Sequence, residues 1–468
     1  MRSIAARPSP SSHLFLLLAH RDLAALALLV AIGGALAIGP PFPAAVVLLL
    51  LGTIAAAVFP VAAAAAVAAA VPFIYHPAHI RGEEFSLLEL SLLVGGVALA
   101  ARLVLTAKSG GLAAGLRAVV GVWPPTVVAA LLIALGIFSL LTVADPRHLT
   151  ESVRELRVVI VEPVAALVLA RWALRHNGAR LLVLGLLGAG IAVSLAALVQ
   201  VVTGHGEVIG NGVARATGPY PHPNNLALYL ERVGLIAAAL LLGDSQRRRV
   251  FFPVTLVIGA ALAATLSRGA LLAVIAGGAL LLFVLRPPRG WRWFGLAIAA
   301  TVAIFAVTAG NRLFATGTSG VTSSRELIWR SSLRMVGDHP VFGVGLDQFL
   351  YQYAPRYVQP AGWPERYTSH PHNLVLDAWL SLGVAGLVLF AGLAIVCVGY
   401  VRRLCPLTVR TDRTRLAVAG AALLAGGAAH GLVDNGFFLP DLAVLTWIAI
   451  ALLEPSPSDL GSPPGGDN

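Results

Sequence analysis

Long apolar stretches separated by short polar connections dominate this sequence. Most of them come close to the roughly 20 residues with which an α-helix crosses about 30 Å of hydrocarbon. We therefore predict an all-α polytopic membrane protein with about 12–14 transmembrane helices. The candidate spans are residues 23–39, 43–59, 61–75, 86–106, 119–143, 154–171, 180–203, 224–242, 250–266, 270–285, 293–309, 373–398, 416–434 and 440–453.

The composition excludes a water-soluble protein. The 468 residues are 58% hydrophobic and 12% charged, with a mean hydropathy of +0.84, whereas a soluble surface alone needs about 25–35% charged residues. We predict one transmembrane domain over residues 23–453, with a cytoplasmic segment at 1–22. The tail at 454–468 is rich in Pro, Gly, Ser and Asp and is predicted to be disordered.

Positively charged residues concentrate in every second loop, and therefore on one side of the predicted helices. The formal net charge is +11, which in a soluble protein would suggest a nucleic-acid partner. Here the arginines concentrate in alternate short loops, as is typical of cytoplasmic loops, so no nucleic-acid partner is predicted. The extracytoplasmic face then receives residues 205–223, the turn at 267–269 and a long polar loop at 310–372. The predicted cytoplasmic loops hold Lys108, Arg117, Arg171, Arg175, Arg180, Arg247, Arg248, Arg249, Arg286, Arg289, Arg292, Arg402, Arg403, Arg410, Arg413 and Arg415.

A loop rich in Pro and Gly surrounds Arg215 on the predicted extracytoplasmic face. Pro and Gly disfavour a helix there, and Asn224 or Asn225 is suited to cap the helix that follows. An arginine near the start of that helix would face an anion attracted to the positive helix end. The alternative is that Arg215 braces the loop or extends to the membrane surface.

Arg268 occupies a tight turn, Ser267-Arg268-Gly269, between two apolar runs near the predicted membrane surface. Gly269 permits the turn. An arginine at that depth is costly unless it meets an anion, and a guanidinium binds phosphate oxygens in a bidentate manner that lysine cannot copy. The alternative is contact with lipid headgroups of the outer leaflet.

The long polar loop contains a predicted helix, a turn and a run of aromatic residues. Ser323 and Glu326 have the spacing of a capping box, and residues 327–336 are predicted to form a helix along the membrane interface with Trp329 as an anchor. The segment Gly343-Val344-Gly345 is interpreted as a plain turn rather than a phosphate cradle. The aromatic residues suit either a sugar-binding surface or a membrane interface; they are Tyr351, Tyr353, Tyr357, Trp363 and Tyr367.

His372 ends the long loop where a membrane helix is predicted to start, and Pro371 suits the first turn of that helix. The positive helix end disfavours imidazolium there, and a neutral imidazole is what a general base needs. We predict that Asp377, about a turn and a half deeper, orients the ring; the alternative is that His372 is a structural cap. A metal site of His339, His370 and His372 matches no standard ligand spacing, so no metal is predicted.

A polar segment at residues 429–435 ends a late span on the same face. Its side chains, which include His430 and Asp434, are suited to line the same cavity, although packing and capping explain them equally well. Elsewhere the charged residues are expected at the ends of the spans, because a charge near the bilayer centre is costly.

In their order along the second half of the chain, these motifs resemble those of the O-antigen ligase and O-antigen polymerase family. The resemblance covers about residues 214–434. It implies a fold like that of class C glycosyltransferases, in the bacterial inner membrane, with an active site on the extracytoplasmic side. The motifs that carry it are Arg215…Gly218…Pro223-Asn224, Ser267-Arg268-Gly269, Arg325…Trp329…His339-Pro340…Gly343-Val344-Gly345, and His372-Asn373…Leu376 with Gly383…Gly386-Leu387.

The resemblance also implies the chemistry. The donor would be a glycan on a polyprenyl diphosphate carrier and the acceptor a hydroxyl of a glycolipid or glycan, without metal, other cofactor or nucleotide sugar. Carried over by motif, Arg215 and Arg268 hold the donor diphosphate, and His372 is the base that activates the acceptor. A single displacement implies inversion at the anomeric carbon. The further substrate-binding residues expected are Arg325, Asn373, Trp329, His222 and Asn224.

Alternatives remain open at this point. Within the family, a ligase that moves the glycan onto a lipid A–core sugar is favoured over a polymerase that joins repeat units. A transporter of lipid-linked glycans would also need arginines and many spans, but it predicts charges near the bilayer midplane and helices broken there by Gly or Pro. Charges expected at span ends disfavour it. A third alternative is an assembly partner without activity.

Overall fold

The fold is described from a computed structural model. Its described residues are 10–107, 123–208, 214–244, 246–286, 292, 295, 324–404 and 411–454. Several predictions fall outside these residues: nearly all of the span at 293–309, the loop up to residue 323 with its capping residue Ser323, the tail after Glu454, and Lys108, Arg117, Arg289 and Arg410.

Helices account for most of the described chain. Between α6 and α7 a π-helical segment at Leu156–Val161 continues the helix. The strands of the described residues form two small antiparallel hairpins, β1 (Ala78–Ile80) with β2 (Glu83–Phe85) and β3 (Glu207–Val208) with β4 (Ala214–Arg215). The α-helices are α1 (Pro10–Ala37), α2 (Phe42–Val58), α3 (Pro60–Ala70), α4 (Leu87–Ala107), α5 (Pro124–Ser139), α6 (Leu149–Glu155), α7 (Glu162–Arg175), α8 (Ala179–Val202), α9 (Pro223–Gly243), α10 (Arg248–Ala264), α11 (Arg268–Leu285), α12 (Ser324–Asp338), α13 (Phe349–Gln352), α14 (Leu374–Leu404), α15 (Asp412–Gly431) and α16 (Pro440–Leu452).

Six described helices are long and apolar enough to cross a membrane, namely α1, α4, α8, α9, α11 and α14. The shorter apolar helices α2, α3, α5 and α16 accompany them. Large apolar side chains stay exposed on the outer faces, such as Ile395 and Val388 of α14, which are 72% and 66% exposed. Such surfaces are costly in water and favourable in hydrocarbon. The predicted all-α polytopic membrane fold is confirmed.

Helix α3 lies in the interior of the bundle, with ten of its eleven residues buried. Its Ala-rich sequence predicts a helix that approaches its neighbours closely. Gly185 of α8 packs so near Ala65 that a Cβ at Gly185 would overlap the Ala65 carbonyl oxygen. The close packing predicted for the Ala-rich run is confirmed.

A seam of small residues joins α11 to α15. A Cβ added at Gly277 would lie 2.7 Å from the Ala422 carbonyl oxygen, and one added at Gly426 would lie 3.0 Å from that of Ala273. Small residues four apart let two helix backbones approach this closely. The seam consists of the small residues Gly269, Ala273 and Gly277 on α11 and Ala422 and Gly426 on α15, and it ends at the larger His430.

Helix α14 is broken at Gly383, where φ is +68° and ψ is −168°. The loop that follows α12 docks into this break. The Val384 N–H donates to the Val341 carbonyl at 3.0 Å, and the Val344 N–H donates to the Leu380 carbonyl at 2.7 Å. The loop thus satisfies backbone groups that the break leaves without a helical partner, which is necessary at membrane depth.

The Gly343-Val344-Gly345 segment forms this docking turn. Gly343 and Gly345 adopt φ of +69° and +106°, conformations that glycine tolerates at little cost. A Cβ at Gly343 would overlap the carbonyl oxygen of Leu380. The turn interpretation is confirmed, because the glycines serve close contact with α14.

Replacing Gly383 with alanine is expected to destabilise the protein by about 2–6 kcal/mol. About 1–3 kcal/mol comes from a side chain at positive φ, and about 1–3 kcal/mol from overlap with the Val341 carbonyl oxygen. Thermal unfolding of the detergent-purified protein measures the effect. Gly392→Ala in the same helix is the control, since a Cβ there meets nothing within 4 Å; equal melting temperatures of the two variants would contradict the prediction.

Arginines of the predicted cytoplasmic loops meet at one end of the bundle. Arg171 is buried and makes a bidentate ion pair with Glu454, from Nη2 to Oε1 at 2.6 Å and from Nε to Oε2 at 2.9 Å. Arg175 also binds Glu454 at 2.6 Å, and Arg415 binds Asp244, the residue after α9, at 3.1 Å. The opposite end of α9 and α15 carries the candidate site.

Candidate active site

Asp434 follows α15 and lies at the centre of a cluster of polar side chains. Its side chain is 5% exposed. The carboxylate oxygen Oδ1 accepts a hydrogen bond from Nδ1 of His372 at 2.8 Å, and Oδ2 accepts one from Nη2 of Arg325 at 2.7 Å. Tertiary packing therefore gathers three segments that are far apart in the chain onto one carboxylate.

Asp434 is held in its ionised form. Burial by itself would raise its pKa, but the hydrogen bond from His372, the nearby His370 and the positive charge of Arg325 outweigh burial and hold the pKa well below the usual range. A buried carboxylate bonded to an imidazole fixes the orientation of the ring and stabilises the imidazolium that forms when the ring takes up a proton.

The backbone at His372 is strained. Its φ of +51° lies in the left-handed region, which costs a residue with a side chain about 1–3 kcal/mol. Trp329 Nε1 donates to the His372 carbonyl at 3.2 Å, and this bond helps to hold the conformation. The strained turn places the imidazole on Asp434.

His372 is a neutral imidazole at pH 7. Because a carboxylate only accepts, Nδ1 carries the proton and Nε2 is the nitrogen with a free lone pair. Burial lowers the pKa of His372, and the charges of His370 and Arg325 lower it further, against the bond to Asp434 that raises it. The side chain is 26% exposed, so it combines the protonation state of a general base with partial access.

His370 completes a group of three possible metal ligands. Its Nε2 is 3.8 Å from Asp434 Oδ1, and the ring centroids of His370 and His372 are 4.3 Å apart. One ligand atom from each of the three residues lies within 4.8 Å of the others. However, the Arg325 guanidinium occupies the second carboxylate oxygen and brings a positive charge that opposes a dication. The contacts present are those of a hydrogen-bonded base.

Asn373 ties this cluster to α15. Its Oδ1 accepts from the backbone N–H groups of Val375 and Leu376 at 3.0 Å and 3.1 Å, and its Nδ2 donates to the Leu432 carbonyl at 2.8 Å. Asn373 therefore caps α14. The predicted role of Asn373 in substrate binding stays a prediction.

Arg215 braces the loop before α9. Its Nε donates to the Thr265 carbonyl at 2.6 Å, and its Nη2 donates to Oδ1 of Asn224 at 2.9 Å. The side chain is 6% exposed, so the bracing alternative is correct for these two of its five N–H groups. The predicted role of Arg215 at the donor diphosphate stays a prediction.

His222 caps α9 in place of the predicted Asn224 or Asn225. Its Nδ1 accepts from the backbone N–H of Asn224 at 3.1 Å. Burial lowers the pKa of His222, as does the charge of Arg215, whereas Asp434 is among the carboxylates that raise it. Since Arg215 and Asp434 both act on this imidazole, the Arg215 loop lies within electrostatic reach of the Asp434 cluster.

Arg268 is the first residue of α11 and is exposed. Ser267 precedes it as the helix cap and accepts from the backbone N–H of Ala270 at 3.4 Å. Leu266 adopts a strained φ of +49°, which ends α10 and turns the chain. Arg268 therefore stands at the positive end of an apolar helix, where free N–H groups favour an anion.

The predicted catalytic residues are connected through short contacts. Arg215 binds Thr265, three residues before Arg268. Gly269 packs against the ring of His430, one helical turn before Asp434, and Asp434 binds His372. The structure therefore brings the elements that carry the two arginines and the histidine together at one end of the bundle.

The partner predicted for His372 was wrong. Asp377 is buried in α14 and accepts from Ser381 Oγ at 3.3 Å, so its side chain faces the protein interior rather than His372, which lies two residues before α14. Asp434 takes the orienting role instead. The signal for it was the polar segment at 429–435, whose predicted position beside the site is confirmed.

Helix α12 presents Ile328, Ser331 and Met335 to the interior, and all three are buried. The predicted helix at 327–336 is thus confirmed, with its observed start at Ser324. Trp329, predicted as a membrane anchor, is half-buried and donates to the His372 carbonyl. Trp329 therefore stabilises the backbone of the site at His372, a role beyond that of the predicted membrane anchor.

The aromatic residues of the loop divide into two groups. Tyr353 is buried, and Tyr351 stacks on a histidine of another loop with ring centroids 3.6 Å apart. Trp363 and Tyr367 are 55% and 71% exposed and flank the guanidinium of Arg366 at 5.0 Å and 4.4 Å. The second group is exposed and suits either of the two predicted roles, a sugar-binding surface or a membrane interface.

Comparison with known proteins gives two matches. Residues 253–391 match the sequence model of a family described as O-antigen ligase. A Pseudomonas aeruginosa protein named O-antigen ligase is 27% identical over 227 residues, which are 47% of this chain and 52% of the relative. The match thus spans about half the length of that curated relative. The family match includes the Arg268 turn and His372.

The fold and the site define the class first: a multi-pass, all-α membrane protein in which the buried Asp434 carboxylate binds the His372 imidazole at one end of the helix bundle. The two matches then support the O-antigen ligase family for this chain. Both matches agree with the resemblance that the order of the motifs carries.

Proposed function

We propose that this protein transfers a glycan from a polyprenyl diphosphate carrier to an acceptor sugar hydroxyl, in the manner of an O-antigen ligase. The transfer takes place at the extracytoplasmic face of the bacterial inner membrane, needs no metal and inverts the anomeric carbon. The observation that carries this proposal is the 2.8 Å hydrogen bond between His372 and the buried Asp434.

The acceptor hydroxyl is activated by His372 in this proposal. Nε2 takes the hydroxyl proton while the oxygen forms a bond to the anomeric carbon of the donor glycan. Asp434 stabilises the imidazolium that results, as the carboxylate does in other base–carboxylate pairs. General-base assistance of this kind contributes about 10²–10⁴-fold to a rate.

The leaving group is the diphosphate of the carrier. The anomeric C–O bond breaks, and its electron pair stays on the phosphate oxygen, which gains negative charge in the transition state. Arg268 at the start of α11 and the guanidinium of Arg215 supply positive charge there, and fixed donors of this kind stabilise developing charge most in a poorly hydrated site. The membrane supplies the donor by lateral diffusion.

Charges inside the bundle bear on the transporter alternative. Contrary to the sequence-based expectation, Glu231 and Arg232 lie in the middle of α9 and are 0% and 1% exposed. They are tolerated because they neutralise each other, at 3.4 Å, and because Arg232 donates to the carbonyls of Leu228 and Gly436. Because Glu231 and Arg232 are buried and paired with each other, they do not form the open binding site that a transporter needs for its substrate.

The proposal is tested with the full chain, purified and returned to liposomes. The donor is a polyprenyl-diphosphate-linked glycan, and the acceptor is a lipid A–core glycolipid, with EDTA present. Transfer with an inverted linkage is expected. Movement of the donor across sealed vesicles without bond formation would favour a transporter. In a deletion strain, long chains left on the carrier indicate a ligase, and single repeat units left there indicate a polymerase.

The rate of transfer is expected to stay high in mildly acidic solution. His372 acts as a base in its neutral form, and its pKa lies below the ordinary 6.5, so the acidic limb of kcat/KM should fall below pH 6.5. Arg325→Gln removes a charge that lowers this pKa, so the limb should move to higher pH. A wild-type limb above pH 6.5 would contradict the assignment.

A further inference from the structure

A buried pair of ionisable side chains, Glu231 and His430, lies directly behind Asp434. Nδ1 of His430 is 2.7 Å from Oε2 of Glu231, and Nε2 is 4.0 Å from Oδ2 of Asp434. The two side chains are 0% and 1% exposed. Because a carboxylate only accepts, Nδ1 of His430 donates to Glu231 and Nε2 is the nitrogen nearest Asp434.

The pair is fixed to the same segment from a second direction. Arg232, next to Glu231 on α9, donates from Nη2 to the Gly436 carbonyl at 2.9 Å, two residues after Asp434. Gly427 makes room for this guanidinium, since a Cβ there would lie 3.0 Å from Nη2. The turn that carries Asp434 is therefore held by α9 on both sides of the carboxylate.

His430 also sets the contact between α15 and α11. It is the last position of the small-residue seam, where its ring lies against Gly269, and a Cβ at Gly269 would overlap Nε2 and Cδ2. At the other positions of the seam the α15 residues are small, namely Ala422 and Gly426. The one bulky residue of the seam thus stands next to Arg268 and one helical turn before Asp434.

Packing alone does not account for this choice of residues. An alanine or glycine would continue the seam and keep α11 against α15, whereas ionisable side chains inside a membrane protein are costly and need partners. His430 and Glu231 nevertheless occur where the seam reaches the Asp434 site. Around Asp434 the facing charged and titratable groups are Arg325, His370 and His372 from the loop side, His430 from α15 and, behind it, Glu231 from α9.

We propose that His430, held by Glu231, is a positioning residue that fixes Asp434, and through it the base His372, relative to Arg268. The proposal rests on the proposed function of the site. His430 does not touch the substrate; it acts through Asp434.

A double-mutant cycle in the liposome assay tests the proposal. His430→Gln is expected to lower kcat by about 10- to 100-fold, with the donor KM within about threefold of wild type. In protein that already carries Asp434→Asn, the same change is expected to lower kcat by less than about twofold, because the residue through which His430 acts is lost. A general structural role would give the same fold loss in both backgrounds.

Glu454→Gln is the matched control, since it removes a charge from a buried ion pair at the opposite end of the bundle. Any fold change in kcat that it causes should be equal with and without Asp434→Asn. Should His430→Gln not fold, Glu231→Gln, which keeps an acceptor for Nδ1 of His430, takes its place in the cycle.

The outcomes separate the two proposals. Unchanged kcat in folded His430→Gln protein, or equal fold losses in the two backgrounds, would overturn the positioning role while transfer by the wild type upholds the proposed function. Absence of transfer by folded wild-type protein would remove the proposed function itself, and the positioning role with it.

Discussion

Replacement of His372 with alanine is expected to reduce glycan transfer by about 10²–10⁴-fold. The acceptor hydroxyl then has no proton acceptor at the site, and the Asp434 carboxylate, which is 5% exposed, loses the imidazole that it orients. Donor affinity should change little, because the diphosphate is assigned to the arginines. Transfer kinetics in liposomes give kcat, and equilibrium binding of the lipid-linked donor gives the affinity.

His205→Ala is the control for this variant, because His205 is an exposed histidine on the same predicted face and has no assigned role. It should transfer at the wild-type rate. Full activity of purified His372→Ala protein would remove the base assignment, and a loss of donor binding equal to the loss of rate would reassign His372 to the donor.

Arg268→Lys is expected to reduce transfer by about 10²–10³-fold. Lysine keeps the charge but cannot hold two phosphate oxygens at once, so the loss falls on the transition state, in which the leaving diphosphate gains charge. A fall in kcat should therefore accompany any rise in the donor KM.

The control for Arg268 lies on the same helix. Arg286→Lys changes an arginine that follows the opposite end of α11, so it leaves the membrane helix and its charge unaltered and should keep the wild-type rate. If Arg268→Lys retains full transfer while Arg268→Ala does not, the site needs only a positive charge there, and bidentate binding of phosphate is excluded.

The two variants test different halves of the reaction. His372 and Asp434 handle the acceptor proton, whereas Arg268 and Arg215 handle the departing diphosphate. The contacts between Gly269 and His430 and between His430 and Asp434 connect these halves. Measurements of donor binding should therefore distinguish the loss of activity in His372→Ala from that in Arg268→Lys. This holds even though the helices and loops that carry these two residues are in contact.

Properties that depend on neighbouring residues were predicted best from the sequence. The helical membrane fold follows from the length of the apolar runs, because backbone groups in hydrocarbon must be paired within each helix. The Gly343–Gly345 turn and the Ala-rich packing helix also follow from local composition. The capping of α9 was predicted two or three residues away from its true position at His222.

Contacts between side chains from distant segments could not be predicted from the sequence. His372 was paired with Asp377 because the two are close along the chain, yet its partner Asp434 lies 62 positions away. Burial of Glu231 and Arg232 in the middle of an apolar helix was not predicted. It depends on their contact with each other and on contacts with residues of α15 and the turn after it.

By itself, the sequence determined the membrane class, the helices, and the residue types suited to grip a phosphate and accept a proton, since these depend on hydrophobicity and side-chain chemistry. Only the tertiary structure decided which carboxylate serves His372, and that a buried Glu231–His430 pair stands behind it. Such pairings are set by how helices pack at their ends, where distances of a few ångströms between segments far apart in the chain select the partners.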